Sequence, residues 1–142
     1  MLKRDIALKI NLVVLFLAGL MDMRRGIAHT FQVRYSVVNL AGIEPIPDSL
    51  VLMGAFGISN FLTGLIYFLI IWKAKPIAPY VLLLIPVSYF LGGMGLAYQN
   101  VTGDGEFVGR YMMAIYLSIC LLASVLYFVS RKTTSAQLSA KQ

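Results

Sequence analysis

Three long runs without a charged residue limit what this chain can fold into. They cover Ser49 to Trp72, Ile77 to Tyr98 and Tyr111 to Ser130, and they are 24, 22 and 20 residues long. An α-helix needs about 20 predominantly apolar residues to cross a hydrocarbon core that is roughly 30 Å thick. Each run is long enough to do so, and the sequence therefore predicts a polytopic membrane protein.

The N-terminal segment predicts a fourth span, although its uninterrupted apolar run from Ile10 to Met21 is only 12 residues long. Extending the helix to residues 6–28 makes it long enough, with Lys9 reaching the membrane surface along its aliphatic stem. The basic start resembles a secretory signal, but the small-residue cleavage pattern is poor, so we expect a retained span.

The predicted fold is an all-α, antiparallel bundle of four transmembrane helices. We expect the spans at residues 6–28, 49–72, 77–98 and 110–130, within one transmembrane domain of residues 1–132. Residues 133–142 are mostly small or polar and predict a disordered cytoplasmic tail.

Composition excludes several classes of protein. Apolar residues make up 59% of the chain and charged residues 13%, which would leave a soluble globule too little polar surface. The net charge of +6 comes from basic residues in the flanks and loops of the apolar runs, so we expect contact with a lipid bilayer and no nucleic acid. The single cysteine, Cys120, excludes an intramolecular disulfide and a two-cysteine redox relay.

The distribution of basic residues predicts the orientation. With the N-terminus inside, eight basic residues face inward and four outward, the four being Arg24, Arg25, Arg34 and Arg110. The positive-inside rule then predicts that both termini are cytoplasmic. We expect the cytoplasmic membrane of a bacterium or an archaeon.

The stretch from Asp22 to His29 ends the first apolar run and carries four ionisable residues, Asp22, Arg24, Arg25 and His29. On a helix, Asp22, Arg25 and His29 follow each other at spacings of three and four residues and therefore share one face, whereas Arg24 points elsewhere. Ionisable residues at membrane depth usually turn toward a partner or a cavity. This face is a candidate ligand site, and a purely structural clasp between Asp22 and Arg25 is the alternative.

Further polar residues extend the candidate site. Arg110 belongs to a group of charged residues on the two outer connectors, whose local pairing in solvent would contribute only about 0–1 kcal/mol per pair. Asn60 and Tyr89 lie at mid-depth, where they could line a cavity or form hydrogen bonds between helices of roughly 0.6 kcal/mol each. The candidate ligand-binding residues are therefore Asp22, Arg24, Arg25, His29, Asn60, Tyr89 and Arg110.

Recognisable catalytic and metal-binding patterns are absent from the sequence. His29 is the only histidine, and Asp104 and Glu106 in the glycine-rich turn are too few oxygen ligands for a calcium loop. No nucleophile–base pair or phosphate-binding loop is present. We predict no catalytic residue, no metal and no cofactor.

Small residues predict how the helices pack. Gly57 and Gly64 lie on one stripe of the second span together with Tyr67, and Gly93 and Ala97 form a small-xxx-small pair in the third. Such residues let membrane helices approach closely. We expect the bundle to pack through both faces.

The glycines of the second span (Gly54, Gly57 and Gly64), the basic turn from Lys73 to Pro76 and the glycine-bearing end of the third span before Arg110 form a recognisable layout. This layout resembles the DoxX-like superfamily of small four-helix membrane proteins over roughly residues 49–131. The resemblance implies a four-helix bundle, with some members linked to membrane redox complexes. It contains no diagnostic motif and carries over no functional residue.

Two functional hypotheses follow from the sequence. The first is a non-enzymatic accessory subunit that presents its outer loops to a membrane-protein partner or to a second copy of itself. The alternative is a membrane-embedded binder or transporter of a lipid-like or anionic small molecule, through a cavity lined by Asp22, Arg25, His29 and Asn60. An enzyme ranks third.

Overall fold

The computed structural model describes residues 4–101 and 109–139, with side chains for residues 4–101 and 111–131. All regular structure in this part is helical. In chain order it consists of α1 (Arg4–Phe31), α2 (Val33–Tyr35), a π-helical segment (Ser36–Leu40), α3 (Pro47–Lys73), a 3-10 turn (Lys75–Ile77), α4 (Ala78–Tyr98) and α5 (Gly109–Ser139). Four helices, α1, α3, α4 and α5, are long and apolar enough to cross a membrane. The predicted all-α, four-span architecture is confirmed.

Helix α1 is the centre of the bundle. It packs most extensively against α3 and also contacts α5 and α4, while α4 packs against α5. Helices α3 and α4 barely contact each other, although only a short turn joins them. Three of the four interfaces around the bundle, α3–α1, α1–α5 and α5–α4, are therefore closed by packing, and the interface between α3 and α4 is not.

The glycine stripe of α3 packs as predicted. A Cβ atom at Gly64 would lie 3.0 Å from the carbonyl oxygen of Gly19 on α1. One at Gly57 would lie 3.0 Å from the backbone of His29 and closer still to the Thr30 hydroxyl. Glycine permits this approach because it has no side chain to separate the two backbones.

Glycines on α1 accept side chains from α3 in return. The Phe68 ring lies against Gly19, where an added Cβ would be 2.9 Å away, and the Phe61 ring lies against Gly26 at 2.8 Å. The two phenylalanines and the two glycines are each seven residues apart, so the same contact repeats after two turns of both helices. This repeat fixes the register between α1 and α3.

The predicted packing through Gly93 and Ala97 of α4 is wrong. No atom of the described residues lies within 4 Å of a Cβ built at Gly92, Gly93 or Gly95, and residues 87–101 are exposed. Helix α4 buries only its first half, through Ala78, Pro79, Leu82 and Ile85. Small residues permit a close approach but do not themselves provide a neighbour.

Hydrogen bonds between helices close one end of the bundle. Asn11 Nδ2 donates to the carbonyls of Ala7 and, on α5, Ala123, both at 2.8 Å. Ser124 Oγ donates to the carbonyl of Pro79 on α4 at 2.8 Å, and Arg131 Nη1 donates to the Tyr80 hydroxyl at 2.9 Å. We call this region, where α1 and α4 begin, the closed end, and the opposite end, where they finish, the open end.

The observed bounds differ from the predicted spans mainly at the C-terminus. The helical backbone of α5 continues to Ser139, through residues 133–139 for which the sequence predicted a disordered tail. No glycine or proline follows Gly109 in this helix, and Ala, Gln and Leu in the last turns favour helix. Residues 140–142 of the predicted tail lie outside the described residues.

Candidate functional site

A cleft separates α3 from α4 because α3 packs on α1 and α4 on α5 rather than on each other. Its cavity has a volume of about 320 Å³, which is typical of small-molecule sites. All four spanning helices contribute polar side chains to its wall: Asp22 from α1; Ser59, Asn60, Thr63 and Tyr67 from α3; Ser88 and Tyr89 from α4; and Tyr116 from α5. We call this cavity the α3–α4 cleft.

Three candidate residues predicted from the sequence meet in the cleft, although they lie on three different helices. They are Asp22, Asn60 and Tyr89. Asp22 is 5% exposed and Asn60 8%, so both are withdrawn from the surface of the bundle. The Nδ2 atom of Asn60 is buried and has no hydrogen-bond partner in the described part of the chain. A buried donor without an acceptor is unfavourable, so this wall can still accept a hydrogen-bonding group.

Asp22 and Arg25 form an ion pair beside the cleft. Arg25 Nη1 lies 3.7 Å from Asp22 Oδ1, which is longer than a charge-assisted hydrogen bond. The Arg25 guanidinium also lies 5.7 Å from the centre of the Tyr116 ring and interacts with the Tyr89 side chain. The positive charge is thus held against two aromatic residues while it compensates the carboxylate in the cavity wall.

Three tyrosines, Tyr67, Tyr89 and Tyr116, line the cleft together with Asp22. A hydroxyl can donate or accept a hydrogen bond. The cleft therefore presents polar groups that can reorient toward a ligand.

His29 lies next to the cleft without lining it. Its ring is 5.5 Å from that of Phe56, and Phe56 is part of the cavity wall. His29 Nδ1 is buried and has no hydrogen-bond partner among residues 4–101 and 111–131. His29 is thus separated from the cavity by the Phe56 ring.

Of the remaining two candidates, one lies away from the cleft and the side chain of the other falls outside the described residues. Arg24 is exposed on the opposite side of α1 from Asp22 and does not contribute to the cavity wall. The backbone of Arg110 is in the first turn of α5, and its side chain lies outside the described residues.

Sequence reasoning missed Tyr67 and Tyr116 as site residues. Tyr67 belongs to the α3 stripe, which the sequence predicts only as a packing face. Tyr116 is surrounded by apolar residues in the last span. The one sequence signal that connects it with the site is its distance from the start of that span, which places it at about the same level in the membrane as Asp22 on α1. Hydropathy could not separate these tyrosines from the core because a tyrosine carries both an apolar ring and a polar hydroxyl.

No three potential metal ligands of the types His, Cys, Asp and Glu cluster within the described ranges. The turn with Asp104 and Glu106 lies outside them.

A second cavity of about 350 Å³ lies between α1 and α5. Its lining is almost wholly apolar and includes Leu17, Met21, Ile115 and Ile119. A groove of this composition suits lipid hydrocarbon and offers little to a polar group. The polar wall of the α3–α4 cleft is therefore a local property rather than a general feature of the bundle surface.

No protein-family model, no curated protein and no solved structure matches this chain. The resemblance to the DoxX-like superfamily accordingly stays a prediction. Fold and site define the class: a four-span helical membrane protein with a polar cleft between two of its helices.

Proposed function

We propose that this protein binds a lipid-like small molecule in the α3–α4 cleft. The observation that carries the proposal is the polarity of the cavity wall. Two polar residues of this wall, Asp22 and Asn60, are buried although they belong to helices long enough to span a membrane. Polar groups are costly in hydrocarbon unless they are paired. A molecule with a polar head would supply the missing interactions of this wall.

The position of the cleft supports access from the bilayer. Its rim residues Phe56 and Ser59 on α3 and Ser88 and Tyr89 on α4 are exposed on the outer surface of the spanning helices. A ligand that moves sideways from the lipid would pass between α3 and α4 without crossing the bundle. The cavity has room for a polar head, and the attached hydrocarbon would extend into the bilayer.

A second candidate function is that of an accessory subunit. The observation that favours it is the second half of α4, where residues 87–98 are exposed and Gly93 and Ala97 would let another membrane helix approach closely. Its partner would be another membrane protein or a second copy of this chain. The distribution of basic residues supports cytoplasmic termini.

Native mass spectrometry from lipid nanodiscs tests the binding proposal. The variant Ser88→Trp fills the rim of the cleft, and Ser118→Trp places the same side chain at an exposed position of α5 that lines neither cavity. We expect wild type and Ser118→Trp to retain a molecule of defined mass and Ser88→Trp to lose it. Equal retention by the two variants would contradict binding in the cleft. A retained protein partner would favour the accessory function instead.

A further inference from the structure

We infer that the ligand of the α3–α4 cleft is an uncharged amphiphile whose polar end carries a carbonyl oxygen. This inference rests on the proposed binding function and narrows its ligand class. Three independent properties of the cleft carry it, namely its charge balance, its unpaired hydrogen-bond donor and the separation of its polar and apolar walls.

Charge balance excludes charged head groups. Asp22 is the one residue with a formal charge among the described residues that line the cavity, and Arg25 compensates it at 3.7 Å. Because Asp22 and Arg25 already neutralise each other, neither an anionic nor a cationic head would find a free counter-charge among the described residues of the cavity. The cost of removing such a charge from water would then go uncompensated. A neutral head avoids this cost and leaves the pair intact.

The unpaired donor selects for an accepting oxygen. Asn60 Nδ2 has no partner among the described residues, and Asn60 as a whole is 8% exposed. Its terminal amide turns about a single bond, so the nitrogen can face a ligand in the cavity that its side chain lines. A carbonyl oxygen has two lone pairs and can accept from Asn60 and from the Tyr89 hydroxyl at the rim.

The walls of the cleft also distinguish a head from a chain. Along α4 the lining changes from apolar Val81, Leu84 and Ile85 to polar Ser88 and Tyr89 toward the open end, and α3 adds polar Ser59, Asn60 and Thr63. A molecule with one polar end and one hydrocarbon end matches this separation. Neutral acylglycerols and long-chain ketones or quinones share this chemistry, and the structure selects the shared carbonyl rather than one of these sources.

Three photoreactive probes with the same diazirine-bearing oleyl chain test the inference. They are a monoacylglycerol (uncharged, with an ester carbonyl), an alkyl sulfate (permanently anionic) and an alkyl trimethylammonium (permanently cationic). Full-length protein in nanodiscs is labelled with each, and the labelled peptides are mapped. We expect the monoacylglycerol to label residues 56–67 and 81–89 at least about fivefold more strongly than either charged probe.

Substitutions sharpen the charge argument without requiring a loss of binding. Asp22→Asn leaves an uncompensated positive charge, so the alkyl sulfate should become the preferred probe. Arg25→Gln leaves a negative charge, so the trimethylammonium probe should become preferred. Misfolding would not switch the preference toward opposite charges in the two variants, which makes them informative even if their stability falls.

The hydrogen bond is tested by Asn60→Leu, with Asn39→Leu as the matched control because Asn39 is exposed and remote from the cavity. We expect about fivefold weaker monoacylglycerol labelling for Asn60→Leu and no change for the control. Tyr89→Phe, which keeps the ring of an exposed residue, should weaken labelling by about threefold.

The outcomes separate the inference from the function on which it rests. If none of the probes labels the peptides of the cleft, the binding function itself fails. If a charged probe labels the wild-type cleft as strongly as the monoacylglycerol, the binding function stands and the uncharged class is overturned. A monoacylglycerol preference that neither charge variant alters would also overturn the charge argument.

Discussion

The two ends of this bundle use their buried polar groups in opposite ways. At the closed end, Asn11 and Ser124 donate to backbone carbonyls of other helices and so tie α1, α4 and α5 together. Three of the four buried polar side-chain atoms without a partner in the described residues lie toward the open end, on His29, Thr30 and Asn60. The comparison teaches that one end is stabilised by polar contacts and the other keeps polar groups available.

The closed end explains why the open end can remain open. Contacts there hold the first half of α4 against α5, and the glycine repeat holds α3 on α1. The fold therefore does not depend on packing by residues 87–98 of α4, which are exposed. The substitutions below test this division from the largest expected effect to the smallest.

The largest effect should come from the α1–α3 interface. Gly64→Leu would push a side chain against the Gly19 carbonyl, and since a backbone cannot move aside locally, we expect a loss of about 3 kcal/mol. Gly54→Leu on the same helix is the control, because none of the described residues packed around α3 lies within 4 Å of its Cβ position. Reversible unfolding followed by circular dichroism measures both, and equal losses would contradict the interface.

The ion pair beside the cleft should have the next largest effect. We expect Asp22→Asn and Arg25→Gln each to lower the free energy of unfolding by about 1–2 kcal/mol, less than for a fully buried pair because Arg25 is 20% exposed. If the two residues form a clasp, the double variant should lose less than the sum of the two singles. Strictly additive losses in the same unfolding measurement would exclude the clasp.

At the closed end, Asn11→Leu removes the hydrogen bond from α1 to the Ala123 carbonyl on α5. A single hydrogen bond of this kind contributes little in membranes, so we expect a loss of about 1 kcal/mol. Labelling of the cleft by the uncharged probe should fall by much less than it does for Asn60→Leu. A loss of labelling as large as that of Asn60→Leu would show that the two ends are not separate.

The smallest effect on stability should come from Gly93→Leu. Its Cβ position has no neighbour among the described residues, so the isolated protein should change by no more than about 0.5 kcal/mol. Loss of a co-purifying partner or of a dimer in this variant would support the accessory function. A destabilisation as large as that of Gly64→Leu would instead mean that this face packs within the chain.

Much of the fold was predictable because the relevant signals are local. An uncharged run of 20 or more residues reports a span whatever surrounds it, and the Gly57–Gly64 stripe reports a face of close approach. Which residue packs against such a face depends on contacts between distant parts of the chain, and the local sequence does not report it. Gly57 and Gly93 have similar surroundings in sequence, yet one lies against His29 and the other against nothing that the structure describes.

The candidate site was predictable in part for the same reason. Asp22 and Asn60 stand out because polar residues are rare in the apolar runs, and both line the cleft. The contribution of Tyr116 depends on how α5 is rotated about its axis, and that rotation follows from contacts with α1 and α4 together. Such contacts between residues far apart in the chain cannot be read from hydropathy.

The gap between α3 and α4 has a consequence for assembly. Consecutive spans pair as two helical hairpins, α1 with α3 and α4 with α5, and each hairpin can enter the bilayer as a unit before the two associate. The α3–α4 cleft is the open part of the seam between these hairpins, which α1 closes elsewhere through its contacts with α4 and α5. An occupant that contacts both sides of the cleft would add its binding free energy to their association, so a ligand of the proposed kind would also promote completion of assembly.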